Sequence, residues 1–249
     1  MTYPDNEERT KSYLNKFNRE KVLRSLVNSG NPLIFDVGAN NGTSLVEFKN
    51  FWPESNIHCF EPQPICWDKL DETSKRYKQG SIFINKFALG NETLNEKQFY
   101  SHDISSGISG FHKINLESKD SINLSEIKND KKLLSDYSNT VNHETLVKVR
   151  RADEYIIKNN LDRINLLKMD TQGFEPEILD GLGNQLQNID VIISEIMFYD
   201  LYEKKISFYD LEKYLIPNGF KLYDISHISK NPQNGRTDWV DVIYINENI

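Results

Sequence analysis

Residues Leu33 to Ser44 read LIFDVGANNGTS: an apolar run, a glycine-rich turn and the first residues of a helix. The run that leads to Asp36 suits a buried parallel strand. Gly38 and Gly42 let the backbone turn sharply and approach a ligand closely, and the helix beyond presents free N–H groups. The spacing is G-x-N-x-G and not the dinucleotide fingerprint G-x-G-x-x-G. The stretch therefore predicts an α/β fold whose ligand is not held by its pyrophosphate.

Apolar runs and helical segments alternate after this turn, and the pattern predicts further strands over 57–60, 81–89, 164–169 and 190–196. Two late apolar runs, 220–228 and 239–245, are joined by a loop without a helix, so we expect them to be antiparallel. The fold class that follows is a Rossmann-like α/β domain. Its mostly parallel seven-stranded sheet ends in an antiparallel strand pair, and helices cover both faces.

The rest of the chain divides around this domain. Residues 1–32 are expected to form an N-terminal helical extension, with one helix from Glu7 to Val27, and residues 33–249 the main domain. The stretch 103–143 loses periodicity and is rich in Ser, Asn and Lys. We interpret it as an insertion or lid with some helix from Ser125 to Tyr137, because long irregular segments inside compact domains are usually functional or mobile.

Composition restricts the class of protein. The 249 residues carry a formal net charge of -7, which argues against a phosphate-binding stripe and hence against a nucleic-acid partner. No apolar run approaches the roughly 20 residues that span a bilayer, and the first residues lack the apolar region of a secretory leader. We therefore expect a cytoplasmic protein without a membrane span. The sequence leaves the oligomeric state open.

Acidic and amide side chains follow the predicted strands where ligands of α/β sheets bind, at the carboxyl edge. Glu61 follows the second strand about 20 residues after Gly42, a position from which a carboxylate can accept hydrogen bonds from both ribose hydroxyls. The run LLKMDTQGFE, residues 166–175, places Asp170, Gln172 and Glu175 at the same edge. Glu195 follows a further apolar run, so it is either a working acid or part of a buried salt bridge to Lys168 or Arg151.

DVGANNG, FEPQP, FALG, the Ser105-Ser106-Gly107 step, LLKMDTQGFE and ISE occur here in the order seen in the FkbM-type methyltransferases. The chain resembles this family from about Leu33 to Tyr244. The resemblance implies S-adenosylmethionine as methyl donor, with S-adenosylhomocysteine as product, and a hydroxyl of a sugar, glycan or other small natural product as acceptor. Carried over by position, it implies these donor-binding residues: Asp36, Gly38, Asn40 and Gly42 for the amino acid end, Glu61 for the ribose, Ala88 and Leu89 for the adenine, Ser105 and Ser106 nearby, and Asp170 beside the transferred methyl.

Methyl transfer to oxygen is an in-line displacement, so the protein mainly aligns the two reactants. A hydroxyl acceptor must also lose a proton, and Asp170 is the first candidate for the base, with Glu195 second. His102 and His227 are alternatives near carboxyl-edge loops. A divalent metal held by Asp170, Glu195 and Asp238 would also acidify a hydroxyl, but the sequence assigns no metal site.

The loop NPQNGRTD, residues 231–238, is followed by Trp239 and combines charged groups with an aromatic platform. It is either an acceptor-binding rim or a polar hairpin turn with Trp239 buried. We expect acceptor contacts from Gln172, Glu175, Arg236, Asp238 and Trp239. Two other functions stay open at this point. One is an NAD-dependent oxidoreductase, which the fold alone favours, and the other is a catalytically inactive module that binds S-adenosylmethionine.

Overall fold

The computed structural model describes residues 5–118, 131–232 and 234–248. Its strands are β1 (Leu33–Val37), β2 (Asn56–Phe60), β3 (Ser81–Asn85), β4 (Ala88–Gly90), β5 (Leu94–Ser101), β6 (His143–Arg151), β7 (Ile164–Met169), β8 (Ile189–Met197), β9 (Phe220–Lys230) and β10 (Thr237–Asn246). Its α-helices are α1 (Asn6–Lys16), α2 (Arg19–Leu26), α3 (Thr43–Phe51), α4 (Pro64–Ser74), α5 (Lys131–Ser138), α6 (Ala152–Lys158), α7 (Glu175–Leu182) and α8 (Phe208–Leu215). None of the helices in these ranges is both long and apolar enough to cross a membrane.

Seven strands form the main sheet, in the order β3-β2-β1-β7-β8-β10-β9. The first five of these are parallel, whereas β10 runs antiparallel to both β8 and β9. The predicted fold class is confirmed, including the antiparallel pair at the end. The order reverses between β1 and β7, so the carboxyl ends of these two strands flank a crevice of the kind that binds ligands in open α/β sheets.

Helices cover both faces of the main sheet because its central strands are apolar on both sides. On β1, Phe35 and Val37 face a core built with α6, α7 and α8. Ile34 faces the opposite core, to which α2, α3 and α4 contribute. Side chains buried this completely stabilise the fold by about 1.5–3 kcal/mol each relative to exposure. The two cores hold the sheet rigid under its carboxyl edge.

A second, three-stranded sheet has the order β4-β6-β5 and stands beside the carboxyl edge of the main sheet. The prediction of one strand over 81–89 is wrong, because the chain leaves the main sheet after Asn85 and pairs again from Ala88, opposite Val149 of β6. The side-chain amide of Asn85 donates to the Cys59 carbonyl at 3.2 Å. This break places β4 along the cleft described below.

The N-terminal segment forms two helices instead of the single helix predicted from Glu7 to Val27. The chain breaks at Phe17, and the Asn18 side chain then caps α2 by accepting the Lys21 N–H at 2.9 Å. Such a side-chain cap competes with a continuous helix. Because α2 buries Val22 and Leu23 against the main sheet, it contributes directly to the core. The division at residue 32 stays a prediction.

The predicted insertion is partly described. Its helix runs from Lys131 to Ser138, while residues 119–130, which include the predicted helix start at Ser125, lie outside the described residues. On either side of that gap, Ile114 and Val141 pack with Leu201 and Tyr202, which follow β8. The insertion is thereby anchored on the loop that leaves the carboxyl end of β8.

Candidate functional site

The site is built around the turn after β1. Gly38 and Gly42 both have left-handed backbones, with φ of +80° and +89°, which glycine adopts without strain. A Cβ on Gly38 would lie 1.9 Å from the carbonyl oxygen of Asp170, so the turn packs directly on the residue after β7. Gly42 caps α3. The sharp turn expected at these glycines is present, and their close approach to a ligand stays a prediction.

Glu61 is fixed at the end of β2 by two backbone donors. Its Oε2 accepts the N–H of Asn40 at 2.8 Å, and its Oε1 accepts the N–H of Gln63 at 2.8 Å. Burial raises the pKa of Glu61, and the hydrogen bonds from Gln63 and Asn40 oppose that rise. Each carboxylate oxygen keeps a further lone pair. Glu61 lines a cleft of about 280 Å³ and can accept hydrogen bonds from a ligand there.

The Ser105-Ser106 step forms the far wall of this cleft. Ser106 donates from Oγ to Asn40 Oδ1 at 3.0 Å, and its carbonyl accepts from Gln63 Nε2 at 3.1 Å. Ser105 caps the short turn Ser106–Ile108 by accepting the Gly107 N–H. The turn is therefore tied to the loop after β1 and to the segment after β2. Of the predicted donor-site residues, the following line one cleft: Gly38, Asn40, Glu61, Ala88, Leu89, Ser105, Ser106 and Asp170.

Asp170 projects into the cleft from the end of β7, with its side chain 39% exposed. Its Oδ1 accepts from Gln172 Nε2 at 2.9 Å, and Gln172 holds a left-handed backbone with φ +57°. Gln172 Oε1 in turn lies 2.7 Å from the Tyr202 hydroxyl, which also lies 2.7 Å from the Ile108 carbonyl oxygen. The Asp170 carboxylate is thus oriented by a chain of contacts that reaches the Ser106–Ile108 turn.

Asp36 lies behind the cleft and does not line it. Its side chain is fully buried, and its Oδ1 is 3.4 Å from the ammonium nitrogen of Lys168. Lys168, its neighbour in register on β7, also lies 3.4 Å from Asp170 Oδ2. The structure therefore gives Asp36 a contact with Lys168 and none with the cleft, and its role toward the donor stays a prediction.

Glu175 and Glu195 line a second, much smaller cavity on the other side of Gly173. Glu175 Oε1 accepts from the backbone and hydroxyl of Thr171, at 2.7 and 2.9 Å, and burial raises the pKa of Glu175 to about 7. Burial, together with Asp170 and other acids nearby, raises the pKa of Glu195 to about 9. The Glu195 carboxyl therefore carries a proton at neutral pH, whereas Glu175 titrates within the neutral range.

The predicted acceptor rim lies at the start of β10, beside the end of β8. Arg236 Nη2 contacts Asp238 Oδ1 at 3.2 Å, and the half-buried Trp239 pairs in register with Met197. Met197 lines the small cavity with Glu195. The three rim residues line neither the cleft nor this cavity. They share the carboxyl edge of the sheet with the site, and acceptor binding by them stays a prediction.

The alternative bases do not line the cleft. Burial lowers the pKa of His102 to about 4, and its Nδ1 accepts the Asn142 N–H at 2.9 Å. His227 pairs with Asp241 on the outer strands. Among the described residues, no group of three or more His, Cys, Asp or Glu side chains is placed to hold a metal ion, and this covers Asp170, Glu195 and Asp238.

Residues 36–222 match the sequence model of the methyltransferase FkbM domain. The chain belongs to the FkbM methyltransferase family. This membership confirms the predicted family, and with it a methyltransferase domain that uses S-adenosylmethionine. It also favours a methyltransferase over an NAD-dependent oxidoreductase, the alternative that the fold alone left open.

This chain spans 62% of the length of one named relative and 70% of the length of another. It is 25% identical over 179 residues to hexuronic acid methyltransferase AglP of Haloferax volcanii, a match that covers 71% of this chain and 62% of AglP. It is 25% identical over 186 residues to 2-O-methyltransferase NoeI of Sinorhizobium fredii, covering 74% of this chain and 70% of NoeI. A solved structure of precorrin-6y C5,15-methyltransferase from Geobacter metallireducens aligns with TM-score 0.45 and 12% identity, over 91% of this chain and 86% of that one.

Several residues of the site in this FkbM chain were not predicted. Lys168 was considered only as a partner for Glu195, whereas it contacts Asp36 and Asp170. Lys168 lies two residues before Asp170, and alternate residues of an extended chain share a face. This spacing is the sequence signal that could have placed the two side chains together. An aromatic wall was missed because its members come from distant segments; it consists of Phe99, Phe111 and Phe174, with Phe111 and Phe174 ring centroids 4.0 Å apart.

Proposed function

We propose that this chain is an S-adenosylmethionine-dependent O-methyltransferase that transfers a methyl group to a hydroxyl of a sugar, glycan or other small acceptor. The observation that carries the proposal is that Glu61 and Asp170 line one cleft at the carboxyl edge of an FkbM domain. The names of two relatives, a hexuronic acid methyltransferase and a 2-O-methyltransferase, support a sugar oxygen as acceptor.

The cleft fits the donor in its polar groups. S-adenosylmethionine supplies an activated methyl group on a sulfonium, so the protein has mainly to align it with the acceptor. Glu61 is held by the N–H groups of Asn40 and Gln63, and its remaining lone pairs would accept from the ribose hydroxyls. Gly38 lines the cleft, and its lack of a side chain lets the turn pack against the Asp170 carbonyl.

The cleft also fits the donor in its apolar part. Ala88 and Leu89 of β4 are buried and line the cleft. The rings of Phe99 and Phe111 lie next to each other in an edge-to-face arrangement, with centroids 5.2 Å apart, and line the same cleft. An adenine ring can bury its faces against such a wall. We infer that these four residues would hold the adenine, with the Ser105-Ser106 turn closing the cleft.

Asp170 is the proposed base. Its carboxylate is exposed to the cleft, oriented by Gln172, and close to the Lys168 ammonium, so it can accept a proton from an acceptor hydroxyl that enters beside it. Glu195, the second candidate, has a pKa raised to about 9. At neutral pH its carboxyl is protonated and would donate a hydrogen bond to the acceptor. Glu175 lines the same small cavity and is proposed to contact the acceptor with Gln172.

The remaining parts of the proposal concern the surroundings. Arg236, Asp238 and Trp239 would contact the more distant part of a glycan from their place at the sheet edge. The acidic balance of the chain, with net charge -7, supports a partner other than nucleic acid. A cytoplasmic location is part of the same proposal.

The test is methyl transfer from donor with a tritium-labelled methyl group to a panel of uronic acids, neutral monosaccharides and small glycans. We expect label in at least one hydroxyl-bearing acceptor, and a loss of about 10²–10⁴-fold in Asp170→Asn, with donor binding measured by calorimetry retained. Donor binding without transfer to any acceptor would favour the inactive binding module. Absence of donor binding would overturn the proposal.

A further inference from the structure

Lys168 joins three parts of the site through one ammonium group. Its Nζ lies 3.4 Å from Asp36 Oδ1, 3.4 Å from Asp170 Oδ2 and 3.4 Å from the carbonyl oxygen of Gly38. The side chain is only 11% exposed. One buried cation therefore touches the floor behind the cleft, the turn after β1 and the carboxylate at the cleft surface.

Asp36 depends on Lys168. Both oxygens of Asp36 are buried, and no other group that the structure describes donates a hydrogen bond to them. A buried carboxylate without a cation is strongly unfavourable. Burial raises the pKa of Asp36, and Lys168 opposes that rise. The pair is set by strand register, because Asp36 and Lys168 are direct neighbours across β1 and β7.

Lys168 keeps its charge at every physiological pH. Burial alone would lower its pKa, but Asp170 and Asp36 outweigh that effect, so the pKa of Lys168 lies above its ordinary value. Of these three residues Asp170 is the exposed one, at 39% against full burial for Asp36, and its other oxygen is already held by Gln172.

We propose that Lys168 is a positioning residue that holds the Asp170 carboxylate in place and aims it into the cleft, with Asp36 as the counter-charge that holds Lys168 in place. The inference rests on the proposed role of Asp170 as base. The other titratable groups around Asp170 lie on neighbouring elements: Asp36 on β1, Glu175 on α7, Glu195 on β8, Asp241 on β10 and Tyr202 after β8.

The test is a ¹³C NMR titration of the Asp170 carboxyl in the full chain, with the signal assigned by its absence in Asp170→Asn. In the double variant Lys168→Met with Asp36→Asn, which removes both buried charges, the midpoint of the Asp170 titration should rise by about one pH unit or more. In Asp36→Asn alone, Lys168 serves only Asp170, so the midpoint should fall. Lys168→Arg keeps the cation, so the Asp170 midpoint in this variant should stay near that of the wild type.

Lys49→Met is the matched control. Lys49 is also buried, but its ammonium donates to three backbone carbonyls, those of Pro53, Ser55 and Gln79, and it does not line the cleft. This variant should lose stability and leave the Asp170 midpoint in place. An unchanged midpoint in the folded double variant and in Asp36→Asn would overturn the proposal.

The acid limb of the pH–rate profile for methyl transfer should move with the NMR midpoint. This second measurement distinguishes the claim that Lys168 positions Asp170 from the claim that Asp170 is the base. If the midpoints shift as expected but Asp170→Asn transfers methyl groups at the wild-type rate, Lys168 still positions Asp170, and the proposed base is wrong. If the midpoints do not shift and Asp170→Asn is inactive, Asp170 is the base without help from Lys168.

Discussion

Asn40 donates its backbone N–H to Glu61 Oε2 at 2.8 Å, across the gap between the turn after β1 and the end of β2. Asn40 reaches this position with a left-handed backbone, φ +47°, which Asn tolerates better than most residues. The turn after β1 and Glu61, the residue proposed to bind the ribose, are therefore joined directly by this hydrogen bond. A change in the Glu61 carboxylate should disturb both the ligand contacts and the turn.

Glu61→Gln should weaken binding of S-adenosylmethionine by about 10- to 100-fold. The substitution replaces one accepting oxygen with an NH₂ group that faces a backbone N–H donor, and hydrogen bonds to a charged group are worth about 1.5–3 kcal/mol. Isothermal calorimetry measures the change. Glu203→Gln, at an exposed position outside the cleft, is the control and should bind as the wild type does. Equal affinity of Glu61→Gln and wild type would show that Glu61 does not contact the donor.

Gly38→Ala should destabilise the protein by about 2–4 kcal/mol. An alanine would adopt φ +80° and place its Cβ 1.9 Å from the Asp170 carbonyl oxygen, so backbone strain adds to a steric clash. For a chain of this size the Tm should fall by roughly 5–15 °C, as measured by circular dichroism. Gly30→Ala is the control, since a Cβ there meets nothing within 4 Å. Equal Tm values for the two variants would contradict the packing of the turn.

Part of this site could be predicted from the sequence, because strand ends and glycine turns are local features. Glu61 and Asp170 were predicted at the same sheet edge from the rule that parallel strands end together, and both line the cleft. The position of Asp36 behind the cleft was not foreseeable in this way. Whether an acid at a strand end faces a ligand or a buried lysine depends on the register of β1 against β7, which is a non-local property.

The small sheet shows the same limit. The run from Ser81 to Leu89 is continuously suited to a strand, and no local signal divides it between two sheets. The division depends on β6, about 60 residues further along the chain, which offers Ala88 a partner in Val149. The aromatic wall of the cleft depends on this second sheet, because Phe99 lies on β5. The sequence therefore predicted the polar lining of the cleft better than its aromatic wall.

Tyr202→Phe should lower the stability of the protein by about 1–3 kcal/mol. The lost hydroxyl lies 2.7 Å from both Gln172 Oε1 and the Ile108 carbonyl, and buried acceptors left without a donor cost about this much. The Tm should fall by roughly 3–10 °C. Tyr209→Phe, at an exposed position on α8, should leave the Tm unchanged. A Tyr202→Phe variant as stable as wild type would mean that water replaces the hydroxyl.

The two N-terminal helices should differ in how much they contribute to the stability of the protein. Every side chain of α1 that the structure describes is exposed, so a chain that begins at residue 18 should keep its Tm within about 2 °C. Removing residues 1–27 also removes Val22, Leu23 and Val27 from the core. That loss amounts to about 5–9 kcal/mol, comparable with the whole stability of a domain. Urea unfolding should show cooperative folding for the first truncation and its loss for the second.

Glu175 should make stability depend on pH between about 4.5 and 7. Burial raises its pKa from 4.5 to about 7, and the hydrogen bonds from Thr171 oppose that rise. The folded protein then keeps a proton that the unfolded chain has lost, so the unfolding free energy falls as pH rises through this range and levels off above it.

Glu175→Gln keeps the Oε1 acceptor for Thr171 and removes the titration, so relative to this variant the wild type should lose up to about 3 kcal/mol from pH 4.5 to 7. Urea midpoints measured at half-unit pH steps give the difference. Glu203→Gln, at an exposed position, should show no such difference from wild type. Parallel pH curves for Glu175→Gln and wild type would mean that the Glu175 carboxyl ionises as readily in the folded chain as in the unfolded one.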